Sequence, residues 1–203
     1  MDLVQLTATI LQKLPLSSLP TVEDAALIQR NRAFFEQHEA ALIKGFYDEV
    51  FGDTHLKHYL DSAQRSQREE TLRQWYRVTT HGSFDEAYWQ WQVFVGIVHV
   101  KHGISNSSMM GMWRWMISFL QERLFLSLPH EEAQAVLTVL QKLQVSVSSL
   151  IVESYLLTER EAIKRVSGLK DKILDRFIHI EIDALLVQGR RCLTNSVITS
   201  EVA

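Results

Sequence analysis

The chain has 203 residues, enough for a single domain with a substantial core. Its 21 basic and 24 acidic residues give a formal net charge of -3, which argues against a polybasic surface for nucleic acid or anionic lipid. The single cysteine, Cys192, cannot form an intramolecular disulfide, and neither a basic leader nor an apolar run of about 20 residues is visible. We therefore expect a cytoplasmic protein that binds neither nucleic acid nor membrane.

Helix breakers are sparse, with three prolines and eight glycines, and the apolar residues recur at helical rather than alternating spacing. This pattern predicts an all-α chain. Thr21 and Asp24 have the spacing of a capping box, which predicts that a helix begins at Val22. The predicted helices cover about residues 3–14, 22–37, 39–51, 66–80, 84–102 (one helix or two), 109–126 and 131–166.

The segment beyond Gly168 carries two patterns. Leu169, Ile173 and Phe177 fit one face of a helix, whereas residues 177–182 alternate like a strand. We favour the helix.

His99 lies inside the apolar run VGIVHVKHGI and three residues before His102. This spacing puts both imidazoles near one helix face and permits metal chelation, but only the scattered His55, His58 and His81 could complete a zinc site. The ordinary interpretation is a buried histidine bonded to a neighbour, with His102 solvated near a helix end.

The surroundings of His99 favour an apolar cofactor rather than a zinc ion. Its neighbours make it the one strong Lewis base in a large apolar region, and Tyr47 lies on the apolar face of another helix. A flat apolar macrocycle needs wide apolar walls, one nitrogen for its metal and a hydrogen-bond donor for a further ligand. Haem is therefore a physically reasonable cofactor.

Four ordered blocks of the sequence resemble the landmarks of the sensor globins, which are the globin domains of globin-coupled sensors and their single-domain relatives, the protoglobins. The resemblance covers roughly residues 22–155, and the His99 block is its most specific part. The blocks are GFYDE at 45–49, ETLRQ at 70–74, HGSFDEAY at 81–88 and VGIVHVKHGI at 95–104.

The resemblance implies a globin-like helical sandwich with an extra N-terminal helix and a long C-terminal helix. Residues 1–20 would hold the extra helix and a linker, 21–166 the haem domain, and 167–203 a C-terminal extension. The implied cofactor is haem b, and the implied ligands are O2, CO or NO, bound reversibly by a gas sensor or single-domain globin that is not an enzyme.

The resemblance also assigns roles to individual residues. His99 is implied to be the proximal ligand of the haem iron, and the Tyr47 hydroxyl a distal donor to bound dioxygen. Thr71 stands where the aerotaxis transducer of the family has a distal threonine. The cofactor-binding set implied in this way is completed by Phe46, Leu72 and Val95.

Some of these residues have ordinary alternatives. Tyr47 could be a core tyrosine bonded to a backbone carbonyl, and Thr71 could bond within its own helix. The stripe from Met109 to Leu120 is interpreted as packing rather than as a cofactor box. Arg68 lies one turn before Thr71 and could reach a haem propionate, although we favour solvent.

Two departures from the family pattern concern aromatic residues. Trp75-Tyr76 stands where many relatives have histidine and tryptophan, so packing at the haem edge can differ. In the aerotaxis transducer of the family, a proximal tyrosine has been linked to signalling. Met109 stands near that position in this chain, which puts signalling through that tyrosine in doubt here.

The chain shows no signature of a kinase, cyclase or chemotaxis module. Either it is a cut or naturally short sensor with a possible signalling partner or output module, or its tail docks on the globin or on a partner. We expect a homodimer through the last two globin helices, with part of this apolar set buried inside the subunit instead. Competing functions are a haem enzyme, such as a nitric oxide dioxygenase or peroxidase-like protein, and a haem-free regulatory scaffold. The positions expected at the interface are Met112, Met116, Leu140, Val147, Leu150 and Ile151.

Overall fold

The computed structural model describes residues 2–53 and 62–194, and every regular element in these ranges is helical. Two short 3-10 turns, Leu16–Ser18 and Ser62–Gln64, connect longer helices. The α-helices are α1 (Leu3–Leu11), α2 (Val22–Arg30), α3 (Arg32–Gly52), α4 (Arg65–Thr80), α5 (Glu86–His102), α6 (Asn106–Ser127), α7 (His130–Ser167) and α8 (Asp171–Thr194). The expected all-α class and the helix beyond Gly168 are both confirmed.

The predicted boundary between the second and third helices is wrong. α2 ends at Arg30 rather than near residue 37, and α3 begins at Arg32. Asn31 adopts φ -95° and ψ 16°, and its side-chain amide donates to the Leu27 carbonyl oxygen at 3.1 Å. An asparagine amide competes with the helix ladder in this way, so the break needs neither glycine nor proline.

The predicted capping box at the start of α2 is confirmed. The Asp24 amide donates to Thr21 Oγ1 at 3.2 Å, and the Thr21 amide donates to Asp24 Oδ2 at 2.8 Å. Lys142 Nζ lies 2.7 Å from the same Asp24 oxygen and so connects α2 to α7. The pKa of Asp24 is lowered because the hydrogen bonds from Lys142 and Thr21 outweigh the opposing effect of burial.

α3 and α4 are joined by a partly buried ion-pair cluster. Glu39 on α3 accepts hydrogen bonds from Arg73 at 3.0 Å and from Arg77 at 2.7 and 2.8 Å. The Tyr76 hydroxyl also donates to the Phe35 carbonyl oxygen at 3.0 Å. These bonds fix the two helices against each other.

α5 has a defined start, a defined end and one close helix contact. Asp85 caps its first turn by accepting from the Tyr88 amide at 2.9 Å. The helix ends at Gly103, whose φ of 66° lies in the left-handed region that favours glycine. At Gly96 an added Cβ would lie 2.0 Å from Ser154 Oγ and 2.6 Å from the Ile151 carbonyl oxygen. The α5 backbone at Gly96 therefore packs directly against α7, where the Ser154 hydroxyl and the Ile151 backbone occupy the space that a side chain would need.

The residues expected at a dimer interface belong to the core of a single subunit. Each of the six is at most 8% exposed, so their assignment to an interface is wrong, whereas a homodimer through the last two globin helices stays a prediction. Heptad-like spacing marks an apolar helix face but does not distinguish a neighbour in the same chain from a partner. The buried six are Met112, Met116, Leu140, Val147, Leu150 and Ile151.

α7 contains a long apolar stretch. By length and composition alone, a stretch of it could cross a membrane, but 56% of that stretch is buried inside the fold. Burial of this kind is what the central helix of a globular domain shows as well.

The chain divides into two compact units, Met1–Thr158 and Glu159–Ala203. In the second unit, the end of α7 is joined to α8 by Lys164, which lies 2.8 Å from Asp171, and by an ion pair between Arg160 and Asp175.

Candidate functional site

A cavity of about 460 Å³ lies in the first unit between α3, α4, α5, α6 and α7. Its volume falls in the range of small-molecule and cofactor sites. Most of its lining is aliphatic or aromatic. Five lining residues are also exposed, so the cavity reaches the surface: Gln64, Gln67, Thr71, Phe94 and His102. All six cofactor-binding residues implied by the resemblance line it, namely Phe46, Tyr47, Thr71, Leu72, Val95 and His99.

His99 lies on α5, which forms one wall of the cavity, and its imidazole is half-buried. Its Nδ1 is buried and has no hydrogen-bond partner among the described residues. Burial, with a smaller contribution from His102, lowers the pKa of His99 to about 4. The imidazole is therefore neutral at pH 7, and a neutral imidazole has a nitrogen lone pair available to a metal.

Tyr47 lies on α3 and is buried at the cavity lining. Its hydroxyl donates to the Arg68 carbonyl oxygen on α4 at 2.9 Å, which is the ordinary partner expected of a core tyrosine. Burial raises the pKa of Tyr47 to about 12, so the hydroxyl keeps its proton at neutral pH. Donation to a ligand in the cavity requires the hydroxyl to leave the Arg68 carbonyl.

Thr71 lies at the exposed edge of the cavity. Its hydroxyl donates to the Gln67 carbonyl oxygen at 3.1 Å, one turn earlier on α4. This bond within the helix is the ordinary alternative considered for Thr71. The Thr71 hydroxyl is therefore a less suitable donor to a ligand in the cavity than the Tyr47 hydroxyl.

Arg68 contributes a second unpaired polar atom to the cavity. Its Nη2 donates to Gln64 Oε1 at 3.1 Å, whereas its Nε is buried and has no partner within residues 2–53 and 62–194. A guanidinium donor at the edge of an apolar cavity suits a carboxylate of a bound molecule.

A protoglobin family model matches residues 20–161 of the chain. The chain belongs to the protoglobin family. Among solved structures, the globin domain of the Geobacter sulfurreducens globin-coupled sensor has a TM-score of 0.62 and 20% identity, covering 74% of this chain and 95% of that one. No curated protein sequence matches the chain. The expected family and the globin-like helical sandwich are thus confirmed, and together they support a globin-type gas-binding sensor domain.

The protoglobin cavity includes residues that sequence reasoning assigned to packing. The stripe on α6 is buried as expected, but four of its members also line the cavity, so they serve both purposes. Periodicity could not reveal this, because the same apolar face meets the core and the cavity. The four are Met109, Met112, Trp113 and Met116.

The departure at Trp75 places a tryptophan at the cavity lining of this protoglobin. Trp75 Nε1 donates to Gln92 Oε1 on α5 at 2.8 Å, and the Gln92 Nε2 atom is buried without a partner. The Trp75 ring also packs edge-on against Trp113, with ring centroids 5.3 Å apart. One hydrogen bond therefore connects the two helices that carry Thr71 and His99.

The histidines considered for a zinc site do not form one within the described residues. Over residues 2–53 and 62–194, no group of three or more His, Cys, Asp or Glu side chains could hold a metal ion. His55 and His58 lie outside these ranges, and His81 is not in the cavity lining. A metal at His99 would need its remaining ligands from a cofactor.

Proposed function

We propose that this protoglobin binds haem b in the cavity and reversibly binds a diatomic gas, O2, CO or NO, as a sensor domain or single-domain globin. The observation that carries the proposal is the neutral His99 imidazole, which has an unpartnered Nδ1 and lies on the wall of a 460 Å³ apolar cavity. Membership of the protoglobin family supports it.

The residues present fit this cofactor. Apolar side chains from five helices suit the faces of a macrocycle, and His99 is the neutral nitrogen donor for its iron. The unpartnered Arg68 Nε suits a propionate, in place of the solvent favoured from sequence. Bound haem would supply the iron position at which a gas ligand binds.

The polar groups of α3 and α4 would set the preference among gases. Tyr47 keeps its proton and is the buried donor at the cavity, so it would stabilise a polar ligand such as dioxygen more than carbon monoxide. Thr71 would contribute less, because it is exposed and bonded to the Gln67 carbonyl oxygen.

The proposal is for a binding protein in the cytoplasm that acts on a signalling partner or output module, rather than for an enzyme. Turnover of nitric oxide or peroxide in the presence of a reductant would contradict it in favour of a haem enzyme.

The decisive test is an absorption spectrum of the purified chain, reduced and then exposed to oxygen or carbon monoxide. We expect a Soret band that shifts with each gas and is lost or strongly altered in His99→Ala. His102→Ala is the matched control, because His102 lines the same cavity three residues away and should leave the spectrum unchanged.

Two further measurements keep the result interpretable. Far-UV circular dichroism checks that His99→Ala is folded, and added imidazole should restore its spectrum by replacing the missing side chain. A folded wild-type chain that takes up no haemin would overturn the proposal and favour the haem-free scaffold.

A further inference from the structure

The cavity is polar at one end and aromatic at the other. On α4 its lining begins with polar side chains, among them Arg68, and ends at Trp75. On α5 the lining begins at Trp91 and ends at His102. Burial and the nearby Arg68 charge lower the pKa of His102, so the polar ends of the two helices meet. We name the opposite end the aromatic end and define it by Trp75, Trp91 and Trp113.

Trp75 is fixed at the aromatic end by two contacts. Its ring packs edge-on against the buried Trp113, with ring centroids 5.3 Å apart. Its Nε1 atom donates to Gln92 Oε1 at 2.8 Å. Because an indole N–H can only donate, Gln92 must turn its carbonyl oxygen toward Trp75, and the reverse orientation of the amide would set two donors against each other. The hydrogen bond therefore fixes both side chains.

The same bond leaves the rest of the Gln92 amide unsatisfied. Gln92 is fully buried, and its Nε2 atom has no partner in the parts of the chain that the structure describes. A buried donor without an acceptor destabilises a fold, and an apolar side chain of similar size would avoid that loss. Stability alone therefore does not explain a glutamine at this position, whereas the placement of Trp75 does.

Gln92 acts on the cavity through Trp75, because it does not line the cavity itself. It lies seven residues before His99 on α5, which is about two helical turns and puts both residues on one face of the helix. Trp75 lies four residues after Thr71, on the same face of α4. The hydrogen bond thus joins the cavity-facing sides of the two helices at the aromatic end.

We propose that Gln92 is a positioning residue that holds the Trp75 indole in the cavity, and that the held indole determines which edge of a porphyrin the aromatic end accepts. The selection of an edge rests on the proposed haem binding. Arg68 at the polar end suits the propionates, so the opposite edge, with one vinyl and one methyl group, would meet the aromatic end.

Haem b can enter such a cavity in two orientations. Turning it over about the axis that joins these two edges exchanges vinyl and methyl positions and keeps the propionates at the polar end. A fixed indole discriminates between the two orientations, because it leaves room for the larger group at only one of the two positions. An indole that can turn accepts both.

Proton NMR of the ferric cyanide complex, after equilibration, measures the ratio of the two orientations. We expect the wild type to prefer one orientation by about fivefold, the factor that one ordinary hydrogen bond supports, and Gln92→Leu to show less than about twofold preference. Gln90→Leu is the matched control, because Gln90 bonds to Glu86 at 2.9 Å on the same helix and does not line the cavity. It should keep the wild-type ratio. Deuterohaemin, which has hydrogen atoms in place of the vinyl groups, should show little preference in either chain.

A second measurement needs no haem. The chain has five tryptophans, and Trp75→Phe identifies the indole N–H resonance of Trp75 by its loss. Hydrogen exchange at this N–H should be at least about fivefold faster in Gln92→Leu than in the wild type, because its acceptor is gone. The urea midpoint of Gln92→Leu should be no lower than that of the wild type, because the unpaired Nε2 atom is removed and the half-buried Trp75 can bond to water instead.

Two results would overturn the role of Gln92. They are an orientation ratio that Gln92→Leu leaves unchanged and equal exchange of the Trp75 indole in both chains. If Gln92→Leu does not fold, Trp75→Phe breaks the same bond from the other side and should also lose the preference. A wild type that takes up no haemin contradicts the proposed function and the selection of an edge with it, whereas the exchange of the Trp75 indole still decides whether Gln92 holds it.

Discussion

The two polar walls of the cavity differ in how their atoms are satisfied. On the α5 wall, His99 Nδ1 is buried without a partner. On the wall formed by α3 and α4, the Tyr47 and Thr71 hydroxyls already donate to the carbonyl oxygens of Arg68 and Gln67. An unpaired buried atom is costly, whereas a paired one must lose a bond before it gains another.

This difference indicates which side chains should contribute most to ligand binding in the cavity and which should contribute least. A ligand to His99 has no competing protein bond to break at that residue, so its effect should be close to all or none. The Tyr47 hydroxyl exchanges one hydrogen bond for another, so its net effect on a bound gas should be near the ordinary value of about 1 kcal/mol.

After the loss of haem binding expected for His99→Ala, the largest effect should be a loss of stability when α5 is pushed away from α7. Gly96→Ala would place a Cβ 2.6 Å from the Ile151 carbonyl oxygen, which is backbone and cannot rotate away. We expect a loss of about 3 kcal/mol in the free energy of unfolding, at the upper end for overpacking. Urea denaturation of both chains measures it.

Gly111→Ala is the control for this substitution. Gly111 lies within α6, where an added Cβ meets no atom within 4 Å, so alanine should leave stability unchanged or raise it by about 0.5–1 kcal/mol. Equal effects of the two alanines would show that α5 and α7 are not closely packed at Gly96.

The next largest loss of stability should come from removing the ion pairs that hold α3 against α4. Glu39→Gln removes the charge that accepts hydrogen bonds from Arg73 and Arg77, and should cost about 2 kcal/mol at pH 7. Glu36→Gln is the control, because Glu36 is 57% exposed on the same helix and forms an exposed ion pair with Arg32, so its loss should cost less than about 0.5 kcal/mol.

The effect of Glu39 should depend on pH. The hydrogen bonds from Arg77 and Arg73 hold its pKa below the ordinary value despite burial. A lowered carboxyl pKa gives stability that is present above the unfolded pKa of about 4.3 and is lost as pH falls through the folded pKa. The stabilities of wild type and Glu39→Gln should therefore converge below about pH 4, and a constant difference would contradict the charge-based explanation.

A smaller effect is expected from Tyr47→Phe. It should speed oxygen release by about fivefold, equivalent to about 1 kcal/mol, and carbon monoxide release by less. Flash photolysis and stopped-flow mixing measure both rates. Tyr76→Phe is the control, since Tyr76 also donates to a backbone carbonyl oxygen but does not line the cavity. Equal changes for both gases would argue against a hydrogen bond from Tyr47.

The smallest effect should be that of Thr71→Val. Because the Thr71 hydroxyl is exposed and bonded to Gln67, its loss should change oxygen release by less than about twofold. Thr71→Ser retains the hydroxyl and separates this effect from that of shape. A larger change for Thr71→Val than for Tyr47→Phe would reverse the assignment of the principal donor.

Much of the fold was readable from local signals. Sparse breakers, helical spacing, the Thr21 capping box and Gly103 after His102 predicted the class and most helix ends. The break at Asn31 was missed because it depends on a side-chain bond to Leu27 rather than on a glycine or proline.

The cavity was only partly readable. His99 and Tyr47 stood out as polar residues on apolar faces, and both line it. The α6 methionines did not stand out, since lining a cavity and filling a core require the same side chains. The positions expected at a dimer interface are wrong for the same reason, as at Val147 and Leu150, which are fully buried in one subunit.

The aromatic lining has an optical consequence. The chain has five tryptophans, and three of them, Trp75, Trp91 and Trp113, line the cavity. A coloured molecule in the cavity would lie within energy-transfer range of three indole fluorophores at once. The protein thus carries its own reporter of occupancy, and quenching of tryptophan emission during titration with a chromophore would count filled cavities without any added label.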